Sequence, residues 1–282
     1  MSTLPVLKTF CRECYSPPEE VYQVLKQRGM ELVTVTDHDS IDAAEALRRH
    51  EDFFLSEEVT CRMPSGNELH VAVYDLTEQQ HVEIQRRRDD LSRLVAYLEA
   101  EELLYGVNHA FSALTGRRSQ EDFEWIDGAF PVVEVCNGQL LERGNRLAER
   151  LAACGGRIRV GGSDAHTLLS LGSVATRVRG ARTKAEFLEG LRQGHVAVEG
   201  ESGSYWRLTR DVLRVAASLL EERPRTRWFA PLMLAVPVVT ALNYLGEVWF
   251  SRHWGNRWES WRGFTAGTPA TGVRTASGEA SA

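Results

Sequence analysis

Between residues 16 and 200, short β-branched runs alternate with longer stretches whose apolar positions recur every three to four residues. This alternation predicts an α/β domain with parallel strands. Strands are expected at 31–36, 53–61, 69–76, 103–109, 131–136, 157–162, 173–179 and 195–199, and helices at about 41–50, 77–101, 142–154 and 183–193. An earlier helix opens at Pro17-Pro18-Glu19-Glu20, where Ser16 can cap it and the acids face its positive end; it should close near Arg28-Gly29. Met63-Pro-Ser-Gly-Asn67, between two extended runs, reads as a hairpin turn.

Past residue 200 the pattern changes. Trp206 to Glu222 has the periodicity of an amphipathic helix, Arg223-Pro-Arg-Thr-Arg227 is a basic break, and 228–246 is a 19-residue stretch without a charge. That length meets the ~20-residue requirement for crossing a bilayer, with arginines on one flank and tryptophans at the ends, although two prolines and an asparagine weaken the signal. Two readings stay open: a hydrophobic helix packed on the domain or on a second subunit, or a membrane surface contacted through 223–254. The expected organisation is a main domain over 1–200, a C-terminal helical extension over 201–255 and a disordered tail over 256–282, whose Gly, Ala, Ser and Thr offer too little apolar surface to fold.

Charge divides along the same boundary. Residues 1–200 carry 23 basic and 32 acidic side chains, whereas 201–282 carry 10 arginines and 7 acids. An acidic main domain argues against a nucleic-acid partner. The five cysteines follow no secreted disulfide framework, Cys11-Arg-Glu-Cys14 lacks the second pair or histidine of a zinc site, and no signal pattern opens the chain, so a cytoplasmic location is expected. Oligomeric state is not legible.

The candidate chemistry lies at the C-terminal ends of expected strands, where barrel active sites are built. Thr36-Asp37-His38-Asp39 and Gly162-Ser163-Asp164-Ala165-His166 each join a carboxylate to an imidazole, with Glu58 in Ser56-Glu-Glu-Val-Thr60 and His109 in Val107-Asn-His-Ala110 between them. Imidazoles suit terminal ligation of a divalent ion and carboxylates can bridge two. Asp-x-His spacing puts Asp164 and His166 on one face of an extended segment. Arg117, Arg118 and Arg177 are read as surface arginines rather than phosphate ligands. His70 is read as structural or supporting rather than ligating, and no role is assigned to His50, His81 or His195.

This spaced set, together with Glu134-Val-Cys-Asn-Gly138, resembles the polymerase and histidinol phosphatase (PHP) superfamily of metal-dependent phosphoesterases over about residues 11–200. The resemblance implies a distorted seven-stranded (β/α) barrel, TIM-like, holding two or three divalent ions such as Zn, Mn, Fe or Mg. It implies His38, Glu58, His109, Asp164 and His166 as the catalytic and metal-binding set, with Glu58 bridging two ions. Asp37, Asp39 and Asn137 would then orient imidazoles and waters. The implied reaction is hydrolysis of a small phosphorylated metabolite or nucleotide by a metal-activated water.

The chain departs from that family at its start: PHP proteins open with Asp-x-His-x-His on the first barrel strand, and Pro5, Leu7 and their neighbours cannot ligate a metal. In one reading the first strand lies upstream of Met1 and the protein is a phosphoric ester hydrolase. In the other it is a degenerate PHP-fold protein, a metal- or ligand-binding module without turnover, tethered to a membrane or not, in which Leu4–Phe10 can act as a substitute strand. A carbon–nitrogen hydrolase of related barrel type is disfavoured, because no lysine occurs between Lys26 and Lys184 to serve as a mid-barrel ligand.

Overall fold

The computed structural model describes residues 14–263. Leu4–Phe10, Cys11 and the tail beyond 263 lie outside the described residues. The elements in chain order begin with α1 (Pro18–Gln27), α2 (Asp42–Leu47), β1 (Ser56–Arg62), β2 (Glu68–Tyr74), α3 (Glu78–Gln85), α4 (Leu91–Ala100) and β3 (Leu104–Val107). A 3-10 turn (Ala113–Thr115), α5 (Gln120–Ala129), β4 (Val132–Asn137), α6 (Glu142–Gly155) and β5 (Ile158–Gly162) follow. The chain continues through β6 (Val174–Val178), α7 (Lys184–Arg192), β7 (Val196–Gly200), α8 (Tyr205–Glu222), a 3-10 run (Pro224–Ala235) and α9 (Val236–Trp261).

Among the described residues the strands do not close into a barrel. They form an open five-stranded sheet in the order β1-β2-β3-β4-β5 and a separate antiparallel ribbon of β6 and β7. Nor is the sheet all parallel as expected. The Met63–Asn67 turn makes β1 and β2 a hairpin, β3 joins β2 antiparallel, and only β3-β4 and β4-β5 run parallel. The expected strand 31–36 forms no ladder: segment 31–38 pairs through two isolated bridges, Val33 to Phe53 and His38 to Glu58, with Thr34 Oγ1 donating to the Phe54 carbonyl and Val33 buried in the core. Closure needs a full ladder at that edge, and two bridges do not supply one.

Local chemistry accounts for the helix boundaries. Pro17, not Ser16, occupies the N-cap of α1, and no side chain caps it; Glu19 and Glu20 complement the first turn. The single helix expected over 77–101 is two, because Asp90 caps a new start by accepting from the Arg93 amide. Periodicity does not announce helix α5, yet Ser119 and Asp122 form a reciprocal capping box at its start. Helix α9 runs to Trp261, past the boundary expected at 255, so 256–261 are helical rather than part of a tail.

Period-two alternation divides the sheet into a core face and a site face. Val59, Cys61, Leu69, Val71, Val73, Tyr105, Val107, Val133 and Val135 point into the main core. The opposite face carries Glu58, His70 and Glu134 toward one end, and Leu104, Val132 and Val160, packed with Leu188 and Leu191 of α7, toward the other. The C-terminal helix belongs to the same body. Trp258 is 1% exposed and stacks edge-on against Phe111 at 5.3 Å, and Phe250 is also buried. A Cβ on Gly255 would lie 2.4 Å from Leu147 Cδ1, so glycine is what lets α9 approach α6 this closely.

Candidate metal centre

The hairpin register builds the site. Thr60 pairs with His70 and Glu58 with Ala72 across the β1/β2 ladder, so Glu58 and His70 are diagonal neighbours on the site face. The bridge at 38/58 then adds His38: the Glu58 amide donates to the Asp37 carbonyl at 3.1 Å, and the Asp39 amide to the Glu58 carbonyl at 2.9 Å. His109 arrives from the end of β3, where the Asn108 amide donates to the His70 carbonyl at 3.1 Å.

Three imidazoles converge on one carboxylate. His38 Nε2 lies 3.2 Å from Glu58 Oε2, His109 Nε2 3.1 Å from Glu58 Oε1, and His70 Nδ1 3.5 Å from the same oxygen. His70 Nδ1 and His109 Nε2 are 3.2 Å apart, and Asn108 Nδ2 donates to Glu58 Oε1 at 2.8 Å. Donor atoms of His38, Glu58 and His70 all lie within 4.8 Å of one another. Such spacing suits a divalent ion whose ligands stand about 2.0–2.2 Å away. The buried Nδ1 of His109 has no hydrogen-bond partner, as befits a nitrogen placed for another kind of contact. The donor set therefore fits a metal.

Electrostatics reinforce that fit. Burial opposes ionisation of Glu58, but hydrogen bonds from His109 and His70 and the surrounding imidazoles hold its carboxyl well below the usual range. Burial also resists charging of His109; the hydrogen bond and charge of Glu58, with Glu134 and Asp164, outweigh it and push the imidazole up to about 9. Burial lowers His70, keeping it a neutral donor. For Glu134, burial dominates and Asp164 adds to it, raising the carboxyl to about 7 against the opposing pull of His109 and Asn137.

The remaining candidates take different places. Asp164 accepts from Asn137 Nδ2 at 3.1 Å, and the same nitrogen lies 3.1 Å from both oxygens of Glu134, which in turn accepts from the His109 amide at 2.8 Å. Asn137 thus ties the Asp164 station to the His109 station. His166 turns Nδ1 toward the Asp164 carbonyl at 3.0 Å and is not a member of the His38–Glu58–His70 group. Asp37 contributes its backbone carbonyl. Asp39 accepts from the Thr60 amide at 2.8 Å and pairs with Arg88 at 2.5 Å, so it braces the β1 edge rather than an imidazole. Arg118 is buried, not on the surface, and donates to the Glu68 carbonyl and to Thr115.

From the sequence His70 reads as structural or supporting, and Glu134 carries no role beyond its place in the resembling segment. The signal for His70 was available: once Met63–Asn67 fixes the hairpin, parity alone puts position 70 on the face of Glu58. Backbone strain marks the same place. Of the five non-glycine residues with positive φ among those described, three are Asp39 (56°), His109 (32°) and Asp164 (45°). Left-handed backbone is costly for such residues and clusters where function overdetermines it.

The C-terminal helices brace the loops that carry these stations. Buried Asp211 of α8 accepts from Gln139 Nε2 at 2.8 Å, from Thr167 Oγ1 at 3.0 Å and from Ser170, holding the segments after Asn137 and His166. Glu247 of α9 accepts from Ser112 Oγ and the Ala113 amide, each at 3.0 Å, beside His109.

Asn137→Ala should weaken Mn²⁺ affinity by about 10–100-fold, the usual cost of losing a side chain that orients ligands. Isothermal titration with the metal checks this, and unchanged affinity would show that Asp164 and Glu134 need no such tie.

Part of the sequence, and the fold, resemble known proteins. Residues 142–196 match the PHP-associated family. No curated protein matches the chain in sequence. Among solved structures, PsfC from Pseudomonas syringae is 15% identical, with 74% of this chain and 93% of that one covered and a TM-score of 0.52. A proposed metal-dependent phosphoesterase from Bifidobacterium adolescentis is 13% identical, covering 64% and 92%, with a TM-score of 0.45. The lesion-specific endonuclease PfuEndoQ from Pyrococcus furiosus is 16% identical, covering 67% and 56%, with a TM-score of 0.46. With the PHP-associated match over residues 142–196, the ordered set of histidines and carboxylates at the strand ends makes the chain similar to the PHP superfamily.

Proposed function

We propose that the protein is a metal-dependent phosphoesterase acting on a small phosphorylated substrate. The observation that carries this reading is the convergence of His38, His70 and His109 on the single carboxylate of Glu58. Divalent ions held there would supply an activated water and charge neutralisation at a phosphoryl group. Glu58, its carboxyl held well below the usual range, would offer ions an anionic ligand whose two oxygens both already face imidazole. His70, kept neutral by burial, would ligate without first losing a proton. Asn137 would keep the Asp164 carboxylate turned toward Glu134 and the His109 end of the site, so that the second station faces the first. In this reading the scaffold is an open variant of the PHP barrel.

Hydrolysis of p-nitrophenyl phosphate and its bis-ester, before and after chelation and metal return, tests the proposal. The expected result is a rate lost on chelation and restored by Mn²⁺ or Zn²⁺. Activity untouched by chelation sinks it, and metal bound stoichiometrically with no turnover of either ester would favour the degenerate binding module instead.

Without metal, the same groups make stability depend on pH. His109 is raised from an unfolded value near ~6.5, so its contribution is complete below that value and is lost as pH climbs through about 9. Glu134, raised from ~4.3 to about 7, loses its contribution over the lower part of the same climb. Thermal melts of chelated protein should show Tm falling from pH 6 to beyond pH 9, and added Mn²⁺ should flatten the fall. A level Tm across that window would contradict the pairing of His109 with Glu58.

A further inference from the structure

The C-terminal extension leaves a large apolar surface uncovered. Trp228 is 89% exposed, Leu234 84% and Trp206 76%, and Leu232, Val238, Val239, Leu242, Leu245 and Trp249 are exposed as well. On α9, Val238, Leu242, Leu245 and Trp249 recur at three- and four-residue steps, forming one stripe that ends at exposed Arg252. Isolated surface leucines are ordinary, but a contiguous patch of this extent marks an interaction site.

Charge identifies the occupant. From 223 to 262 the chain has six arginines and two glutamates. Both glutamates are committed inward, Glu247 to Ser112 and Ala113 and Glu259 to Arg150. Arg223, Arg225 and Arg227 are exposed at the turn where α8 gives way to the 3-10 run, immediately before Trp228. Apolar side chains with interfacial tryptophans and a fringe of arginines are the composition of a helix that lies in an anionic lipid surface.

Packing decides between lying on the surface and crossing it. The segment Ala230–Trp261 is long and apolar enough to span a bilayer by length and composition. It is, however, fastened along its length to polar and charged neighbours. Tyr205 donates to the Pro237 carbonyl at 3.0 Å, Thr209 and Thr240 share a 2.8 Å hydrogen bond, and Glu247 holds the loop after His109. Crossing would break these contacts or draw in α8, which carries Arg210, Arg214, Glu221 and Glu222.

We infer that the outer face of the 3-10 run and α9 docks in the plane of a membrane containing anionic phospholipid, with Arg223, Arg225 and Arg227 at the headgroups. This surface is independent of the metal centre, so it stands or falls apart from the phosphoesterase reading.

Flotation of the full chain with phosphatidylcholine vesicles, with and without phosphatidylglycerol, is the test. The expected result is binding that requires the anionic lipid and weakens with salt. It should fall by at least about tenfold in the Leu242→Glu, Leu245→Glu double variant, whose exposed sites leave Tm and metal affinity unchanged. Acyl-chain-brominated lipids should quench tryptophan most strongly when the bromines lie at shallow depth. Three results overturn the inference: no flotation, equal flotation on neutral vesicles, or deepest-position bromines quenching best. A fourth is a dimer by light scattering that the double variant dissolves while vesicles remain unbound, which would make a second copy the occupant.

Discussion

Glu58→Gln should abolish stoichiometric binding of Mn²⁺ or Zn²⁺ and reduce phosphoester hydrolysis by at least about 10³-fold, because several kcal/mol of charge stabilisation depend on the ions. The amide keeps the shape of the carboxylate but replaces one acceptor oxygen with a donor nitrogen. That nitrogen would face His38 Nε2 or the shared position of His70 and His109, since both Glu58 oxygens are within 3.5 Å of imidazole nitrogens. The substitution also removes the carboxylate hydrogen-bonded to the His109 ring, which favours its protonated form, so the pH dependence of Tm should shrink along with metal affinity. Titration calorimetry and the chelation assay read the first effect, and melts across pH read the second. A variant that binds metal like the parent would refute the assignment of Glu58 as the central ligand. One that loses metal but keeps full hydrolysis would refute the phosphoesterase reading alone.

Trp258→Ala should cost about 3–5 kcal/mol, the usual range for removing a fully buried aromatic side chain. In a folded body of this size that lowers Tm by roughly 6–20 °C. Trp258 lies in the main core, against Phe111, and Phe111 packs on Phe123, which also meets Trp254 and Trp261. Removing the indole therefore opens a cavity shared by α9, α5 and the segment after β3. Leu242→Ala, on the uncovered stripe of the same helix, should change stability by no more than about 0.5 kcal/mol. If the two variants melted alike, the C-terminal helix would not be part of the core. Because Phe111 lies two residues beyond His109 and Glu247 holds the next turn, the Trp258 variant should also bind metal less tightly.

Much of the fold was readable from local pattern, and the failures have specific causes. Strands β1 to β7 all fall within or beside expected runs, because β-branched clusters bounded by turns carry their own signal. Strand direction was not readable in the same way. Direction follows from connections, and the turn at Met63–Asn67 already implied an antiparallel pair that a wholly parallel sheet could not contain. The segment 31–36 has the composition of a buried strand, but composition does not determine whether a partner ladder forms beside it. At the site, His38, Glu58 and His109 were recognisable from motifs, whereas His70 and Glu134 required register and burial. A histidine within an alternating strand declares its face only when its partner strand is placed. Glu134, in the segment that shares in the resemblance, takes the site face by parity with Val132, and its part there shows only in its burial beside the His109 amide.

The two bridges that join segment 31–38 to the sheet bear on how the centre assembles. His38 reaches Glu58 from a segment held beside β1 by bridges at 33/53 and 38/58, whereas His70 and His109 stand on strands with full ladders. Detachment of that segment would leave a two-imidazole half-site intact and take His38 away. Ion capture and closure of the segment would then form one linked equilibrium, with the apparent affinity equal to the intrinsic affinity scaled by the fraction of molecules already closed. Whatever stiffens 31–38 from outside, whether an added strand or a bound partner, would tighten the hold on the ion without touching a single ligand.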